Sequence, residues 1–191
     1  MKIDEKDRKI VSMMAKDPDI SQEAMATALK LSQPSVAARV ARLRKDGVLQ
    51  KQVGINPLKM GMYLAKVDLT STNPSGILKM FHGCPYFANG FSVSGRHNLC
   101  LFFFSESVTT LEAIVNGHLR SNPTVSEVEF NIIISAENDF IVTSDLRPER
   151  ADEAPCGIDL ECSDCPSFKE HKCNGCPVTG QYCGEFYCTS K

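Results

Sequence analysis

Seven of the nine cysteines in this 191-residue chain fall within its last 36 residues, at Cys156, Cys162, Cys165, Cys173, Cys176, Cys183 and Cys188. Four of them make two C-x2-C pairs seven residues apart, Cys162 with Cys165 and Cys173 with Cys176, and a proline follows each pair, Pro166 or Pro177. A C-x2-C hairpin brings two thiolates within reach of one metal, and a second pair completes a four-sulfur shell. The tail opens in the polar run from Asp145 to Pro155. A segment of about 45 residues is too short to hold a core easily without disulfides or metal. Sulfur chemistry is therefore expected to organise it.

Disulfides require an oxidising compartment. The first residues, Met1 to Arg8, are charged and lack the apolar stretch of a secretory signal. No run approaches the roughly 18 apolar residues of a membrane span. The expected setting is cytoplasmic, where thiols stay reduced, so metal ligation is preferred. Zinc ribbons separate their pairs by about 15–20 residues, more than the spacing here. Seven clustered cysteines also exceed the four that zinc needs, and the Cys-Pro pairs are like those of ferredoxin segments. An iron–sulfur cluster, 4Fe–4S by preference, is the first expectation and zinc the second. Cys162, Cys165, Cys173 and Cys176 are the first-choice ligands, with Cys156, Cys183 and Cys188 as alternatives.

Charge is unevenly distributed along the chain. Residues 1–60 carry 12 Lys and Arg against 7 Asp and Glu, whereas 61–145 carry 4 against 8 and 146–191 carry 5 against 8. A basic end on an acidic body points to a polyanion partner; an ordinary solvated face is the plainer alternative.

Ile3, Ile10, Val11 and Met14 recur at helical spacing over about Asp4 to Lys16. The Asp17–Ser21 stretch breaks that pattern, and Ser21 caps a second helix ending near Leu29. Ser32 caps a third, with Pro34 in its first turn and Gly47 at its end. Val36, Val40 and Leu43 make its buried stripe. Two short helices joined by a tight turn, the second basic outside, describe a helix-turn-helix whose second helix enters the major groove of double-stranded DNA. Gln33, Ser35, Arg39 and Arg42 are its candidate base or phosphate contacts, and Arg44 and Lys45, with Lys51, are expected on phosphates.

Here the chain resembles the Lrp/AsnC family of leucine-responsive regulators. The matching residues are Ile3 to Ile10, Asp17 to Ile20, Leu31-Ser32, Arg39-Val40, Arg42-Leu43, Asp46-Gly47-Val48, Ile55-Asn56-Pro57 and Met60-Gly61. The resemblance implies a winged helix-turn-helix over residues 1–60. It also implies a transcription-regulating, non-enzymatic role and a homodimer or larger homo-oligomer.

Beyond it, strands are expected at Tyr63–Thr70, Phe87–Val93, Leu99–Phe104 and Val125–Ser135, and helices at Pro74–His82 and Val108–Leu119. The order β-α-β-β-α-β is that of a ferredoxin-like fold, here over 61–145. The expected fold class is thus α+β, with 146–191 as a third, metal-stabilised domain. In the resembled family the middle domain senses ligands and dimerises, and its effector loop commonly reads Gly-x-x-Asp. This chain has Gly95-Arg-His-Asn98, with Asn98 in place of the acid, which puts amino-acid sensing in doubt. His97 is expected as a solvated loop residue before a ligand contact. Cys84 and Cys100 are expected as small core residues.

These features favour a DNA-binding regulator that responds to redox state or iron through its tail. A regulator with a static zinc knob is the alternative. An electron-transfer subunit is a third reading, for which no nucleotide-binding glycine motif or catalytic triad pattern is found.

Overall fold

In the computed structural model, which describes residues 2–157 and 162–188, the chain divides into two units, Met1–Gln52 and Val53–Lys191. The three expected domains become two, because the tail packs into the second unit instead of standing apart.

The first unit holds α1 (Glu5–Lys16), α2 (Gln22–Leu29) and α3 (Gln33–Lys45). Asp4 and Asp7 start α1 with a reciprocal capping box: each carboxylate accepts from the other's amide, at 2.8 and 3.1 Å. Ser21 caps α2 through the Ala24 amide, and Ser32 caps α3 through the Ser35 amide. Between them Lys30 takes a left-handed conformation, φ 52°, which ends α2 and turns the chain into α3. Ile10, Met25, Ala26, Val36, Val40 and Leu43 form the shared core. Burying a large apolar side chain of this kind contributes about 1.5–3 kcal/mol.

The second unit is built on an antiparallel sheet in the order β2-β3-β1-β4, with β1 at Tyr63–Ser71, β2 at Phe87–Ser92, β3 at Leu99–Ser105 and β4 at Val125–Ile132. Alternation along β1 turns Ala65, Val67 and Leu69 to one core. Leu99, Leu101 and Phe103 of β3 join them there, beneath α4 (Pro74–Met80) and α5 (Val108–Ile114). The opposite set, Leu64 and Phe104, packs with Met62 and Val142. This is the expected β-α-β-β-α-β order with two differences. The second helix turns into a π-helix over Val115–Arg120, and the tail contributes Tyr187 to the main core, with Tyr182 and Phe186 packed against it. Apolar surface thus holds the tail in place alongside any sulfur chemistry. A short α6 (Pro166–Lys169) follows Cys165.

Candidate functional site

Helix α3 presents two different faces. Val36, Val40 and Leu43 are buried, while Pro34, Ala38, Ala41 and Lys45 are exposed on the other side. Gln33 and Arg44 are exposed beside that face, and Ser35 is half-buried in the cap turn. Small residues at 38 and 41 leave the helix backbone able to approach a groove closely. Alanine carries no polar mark, so nothing in the sequence distinguishes Ala38 and Ala41 as part of this face.

Arg39 stands elsewhere than the sequence suggested. Its guanidinium donates to Asp4 Oδ2 at 2.7 Å and to Asp7 Oδ1 at 2.8 Å, and the Arg42 guanidinium donates to Asp7 Oδ2. Asp7 is fully buried, and a buried carboxylate needs paired cations. Both arginines therefore tie α3 to the start of α1, and Arg39 is removed from the base-reading set. Arg42 keeps an exposed flank. Burial pushes the Asp7 carboxyl up, but the Asp4 amide and the two guanidinium groups together hold it below its usual value. The Asp7 amide and Arg39 hold Asp4 down to about 2. Lys51 is paired with Asp19 at 3.1 Å.

The effector-loop residues are largely engaged. Asn98 clamps the end of β1, accepting from the Ser71 amide at 2.9 Å and donating to the Ser71 carbonyl at 2.7 Å. A carboxylate cannot make that second bond, which accounts for an amide at this position. His97 is largely covered, its side chain 12% exposed. Its ring nitrogens lie 3.2 Å from Thr70 Oγ1 and 3.2 Å from Glu129 Oε1, so it is no freely solvated loop residue. Gly95 has φ 140° and an open surrounding.

The tail is fixed to the sheet unit by a polar clamp. One Glu106 carboxylate accepts from the Glu185 amide at 2.7 Å, the Phe186 amide at 2.8 Å, the Asn174 side chain at 3.2 Å and the Tyr182 hydroxyl. Tyr187 donates to the Pro85 carbonyl at 2.7 Å, and Tyr86 donates to the Gly175 carbonyl at 2.6 Å. Gly175 has φ 78°, and a Cβ there would meet Gln181 O at 2.5 Å, so only glycine fits. None of these anchors was legible as such, although four aromatic residues in a short polar tail, Phe168, Tyr182, Phe186 and Tyr187, were a signal against an independent metal knob.

Several thiols share this docked region. Burial pushes the Cys173 thiol up; the Gly175 amide opposes that, and the charges of Cys162 and Cys165 add to it. Burial likewise raises Cys176, opposed by the Val178 and Thr179 amides and reinforced by Cys156 and Cys162. The two C-x2-C pairs are thus electrostatic neighbours. Cys183 and Cys188 are exposed, with the Cys183 thiol 3.5 Å from Asn174 O. Among the described residues no three Cys, His, Asp or Glu side chains already converge at the distance of one ion. Cys156 Sγ lies 3.1 Å from His118 Nε2 on the π-helical turn. A cavity of about 560 Å³ opens beside Cys84, Pro155 and Val178.

Residues 3–50 match the winged helix-turn-helix DNA-binding family. The chain is 22% identical over 142 residues to the transcriptional regulator AzlB of Bacillus subtilis, covering 71% of this chain and 90% of that protein. AsnC of E. coli superposes with a TM-score of 0.64 at 12% identity, over 74% of this chain and 99% of AsnC. The leucine response regulatory protein LrpA of Mycobacterium tuberculosis does so with a TM-score of 0.61 at 26% identity, over 71% and 95%. The chain therefore has the α+β fold seen in the AsnC and LrpA structures. In each match about a quarter of the chain is left over, a share the size of the 46-residue tail.

Proposed function

We propose that this chain is a DNA-binding transcription regulator of the Lrp/AsnC type whose operator affinity answers to redox state or iron supply through a metal centre in its tail. The first-choice centre is a 4Fe–4S cluster on Cys162, Cys165, Cys173 and Cys176; zinc on the same thiols is the alternative. The reading rests chiefly on one observation: a thiol-rich tail is docked into the core of the sheet domain through Tyr187 and Glu106. When bound, a cluster supplies a charge that changes on reduction and a structure lost on oxidation.

The chain's own residues do the rest. Amides near Cys173 and Cys176 stabilise thiolate charge, and the Glu106 clamp converts the state of the sulfur loop into the packing of α5 and β3. In a homodimer or larger assembly, that packing sets the spacing between the α3 helices. The exposed face of α3 meets the major groove, with Gln33 at its start and Arg44 and Lys45 toward the phosphates. Anaerobically prepared protein tests this. Broad absorbance near roughly 400 nm together with operator binding that changes on exposure to air supports the cluster; colourless protein holding one zinc per chain supports the alternative.

A further inference from the structure

The cavity of about 560 Å³ lies where the sheet body meets the tail, and no residue of the effector loop at 95–98 lines it. Its size is that of a small-molecule pocket. One wall is Phe81, at the end of α4, and Phe87, whose rings stack with centroids 5.6 Å apart. The facing wall includes Pro148, Pro155 and Val178 of the tail. Backbone bonds fix that wall: the Ala151 amide donates to the Val178 carbonyl at 3.0 Å, and the Cys188 amide to the Leu146 carbonyl at 2.8 Å. Pro85 completes the lining, its carbonyl held by the Tyr187 hydroxyl at 2.7 Å. Three stiff prolines and these bonds leave a cavity whose shape does not wait for a ligand.

The polar part of the lining has one sign. Asp145 and Glu149 contribute carboxylates, and no lysine or arginine lines the cavity to neutralise them. Asp145 accepts the Arg147 amide on Oδ1 at 2.9 Å, which leaves Oδ2. The Arg150 guanidinium is turned to Gly180, where a Cβ would stand 2.8 Å from its Cζ. His82 is exposed, and burial pushes the Cys84 thiol up to about 12, so it adds no charge. Ser144 Oγ is buried in the same lining and, among the described residues, reaches no partner at hydrogen-bonding geometry. The Tyr187 hydroxyl near it donates its proton to the Pro85 carbonyl instead. A buried oxygen of this kind calls for a donor.

We infer that this cavity binds a small organic cation of the arylalkylammonium class, with its ammonium toward Asp145 and Glu149 and its ring against Phe87 and Val178. Carboxylates attract the ammonium, whose N–H groups suit an unmatched oxygen, and an aromatic face beside them adds cation–π attraction. A carboxylate or phosphate ligand would find no fixed cation here, so a free amino acid is half matched at best. A bare metal ion is disfavoured, because among the described residues no three Cys, His, Asp or Glu side chains converge on one point. The site differs from the thiol centre and does not depend on it. It adjoins that centre, however: Pro155 precedes Cys156, and the Val178 amide points at Cys176. A bound cation would therefore brace the junction through which the tail acts on the sheet body.

The test is calorimetric titration of full-length protein with 2-phenylethylammonium, 2-phenylethanol and phenylacetate, three probes of one shape and different charge. The ammonium should bind, with the alcohol and the carboxylate at least about tenfold weaker. Asp145→Asn/Glu149→Gln should weaken the ammonium by at least about tenfold, and Arg96→Ala, in the effector loop, should leave it unchanged. No binding of the ammonium, or equal binding of all three probes, overturns the inference. So does wild-type affinity in the double variant, or loss in Arg96→Ala alone, which would place the amine at the effector loop. Where the double variant does not fold, nuclear Overhauser contacts in the wild type decide. Contacts from the probe's ring to Phe87 and Val178 support the site, and contacts to other regions alone overturn it.

Discussion

The hydroxyl of Tyr86, a residue of the sheet body, donates to the carbonyl of Gly175 in the tail at 2.6 Å, so the loop carrying Cys173 and Cys176 is pinned to the sheet body. Tyr86 is almost fully buried, and a buried hydrogen bond is costly to leave half made. Tyr86→Phe should therefore lower stability by about 1–3 kcal/mol, read from the urea midpoint at an unchanged slope. Gly175→Ala should do at least as much harm, because the added methyl meets a backbone oxygen. A Tyr86→Phe midpoint equal to that of the wild type would mean the contact carries no load.

A tail expected as a separate third domain would be removable without harm to the rest; its packing in the structure argues the opposite. Tyr187 is 4% exposed and lies in the main core. Tyr187→Ala should cost about 3–5 kcal/mol, as for other aromatic truncations in cores. The deletion should uncover apolar surface and promote aggregation, measured by light scattering. A monodisperse truncated protein with unchanged melting would restore the three-domain view.

Arg39→Ala should weaken the tie between α1 and α3, leaving the buried Asp7 with Arg42 alone. Its effect should be lower stability and a uniform loss of affinity across operator variants, with base preference unchanged. Lys45→Ala, by contrast, should leave stability alone and reduce the salt dependence of binding by about one phosphate contact. Anisotropy titrations at several salt concentrations, on matched and mismatched operators, separate the two.

Asp4 and Asp7 are both held below the usual carboxylate range. Folded-state values below the unfolded ones give stability that is present above about pH 4. That stability is lost as pH falls through the folded values, toward 2 for Asp4. The helical signal should accordingly drop in this acid window. Asp7→Asn should start less stable and lose less on acidification. An identical acid profile in the variant would show that the pair does not govern the helical unit.

How much of this could be read in advance differs by region. Helix caps at Asp4, Ser21 and Ser32 and the two-residue alternation of β1 are local signals, and the elements they announce are where expected. The partnership of Arg39 with Asp7 spans 32 residues, and nothing local distinguishes a guanidinium that reads bases from one that neutralises a buried carboxylate. The π turn carrying His118 has no compositional mark, since its side chains follow an ordinary helical pattern. Docking of Tyr182, Phe186 and Tyr187 was hidden by the cysteines around them. Those cysteines suggested that metal would have to do the work that apolar contact shares.

The most direct test of the account measures iron and acid-labile sulfide together with operator affinity in anaerobic full-length protein, before and after air exposure. The comparison is between wild type and the Cys162→Ser/Cys165→Ser double variant. The account predicts that the wild type holds iron and sulfide and shifts its affinity in air, while the variant loses both the iron and the shift. A variant that loses its iron yet responds to air as the wild type does would contradict it.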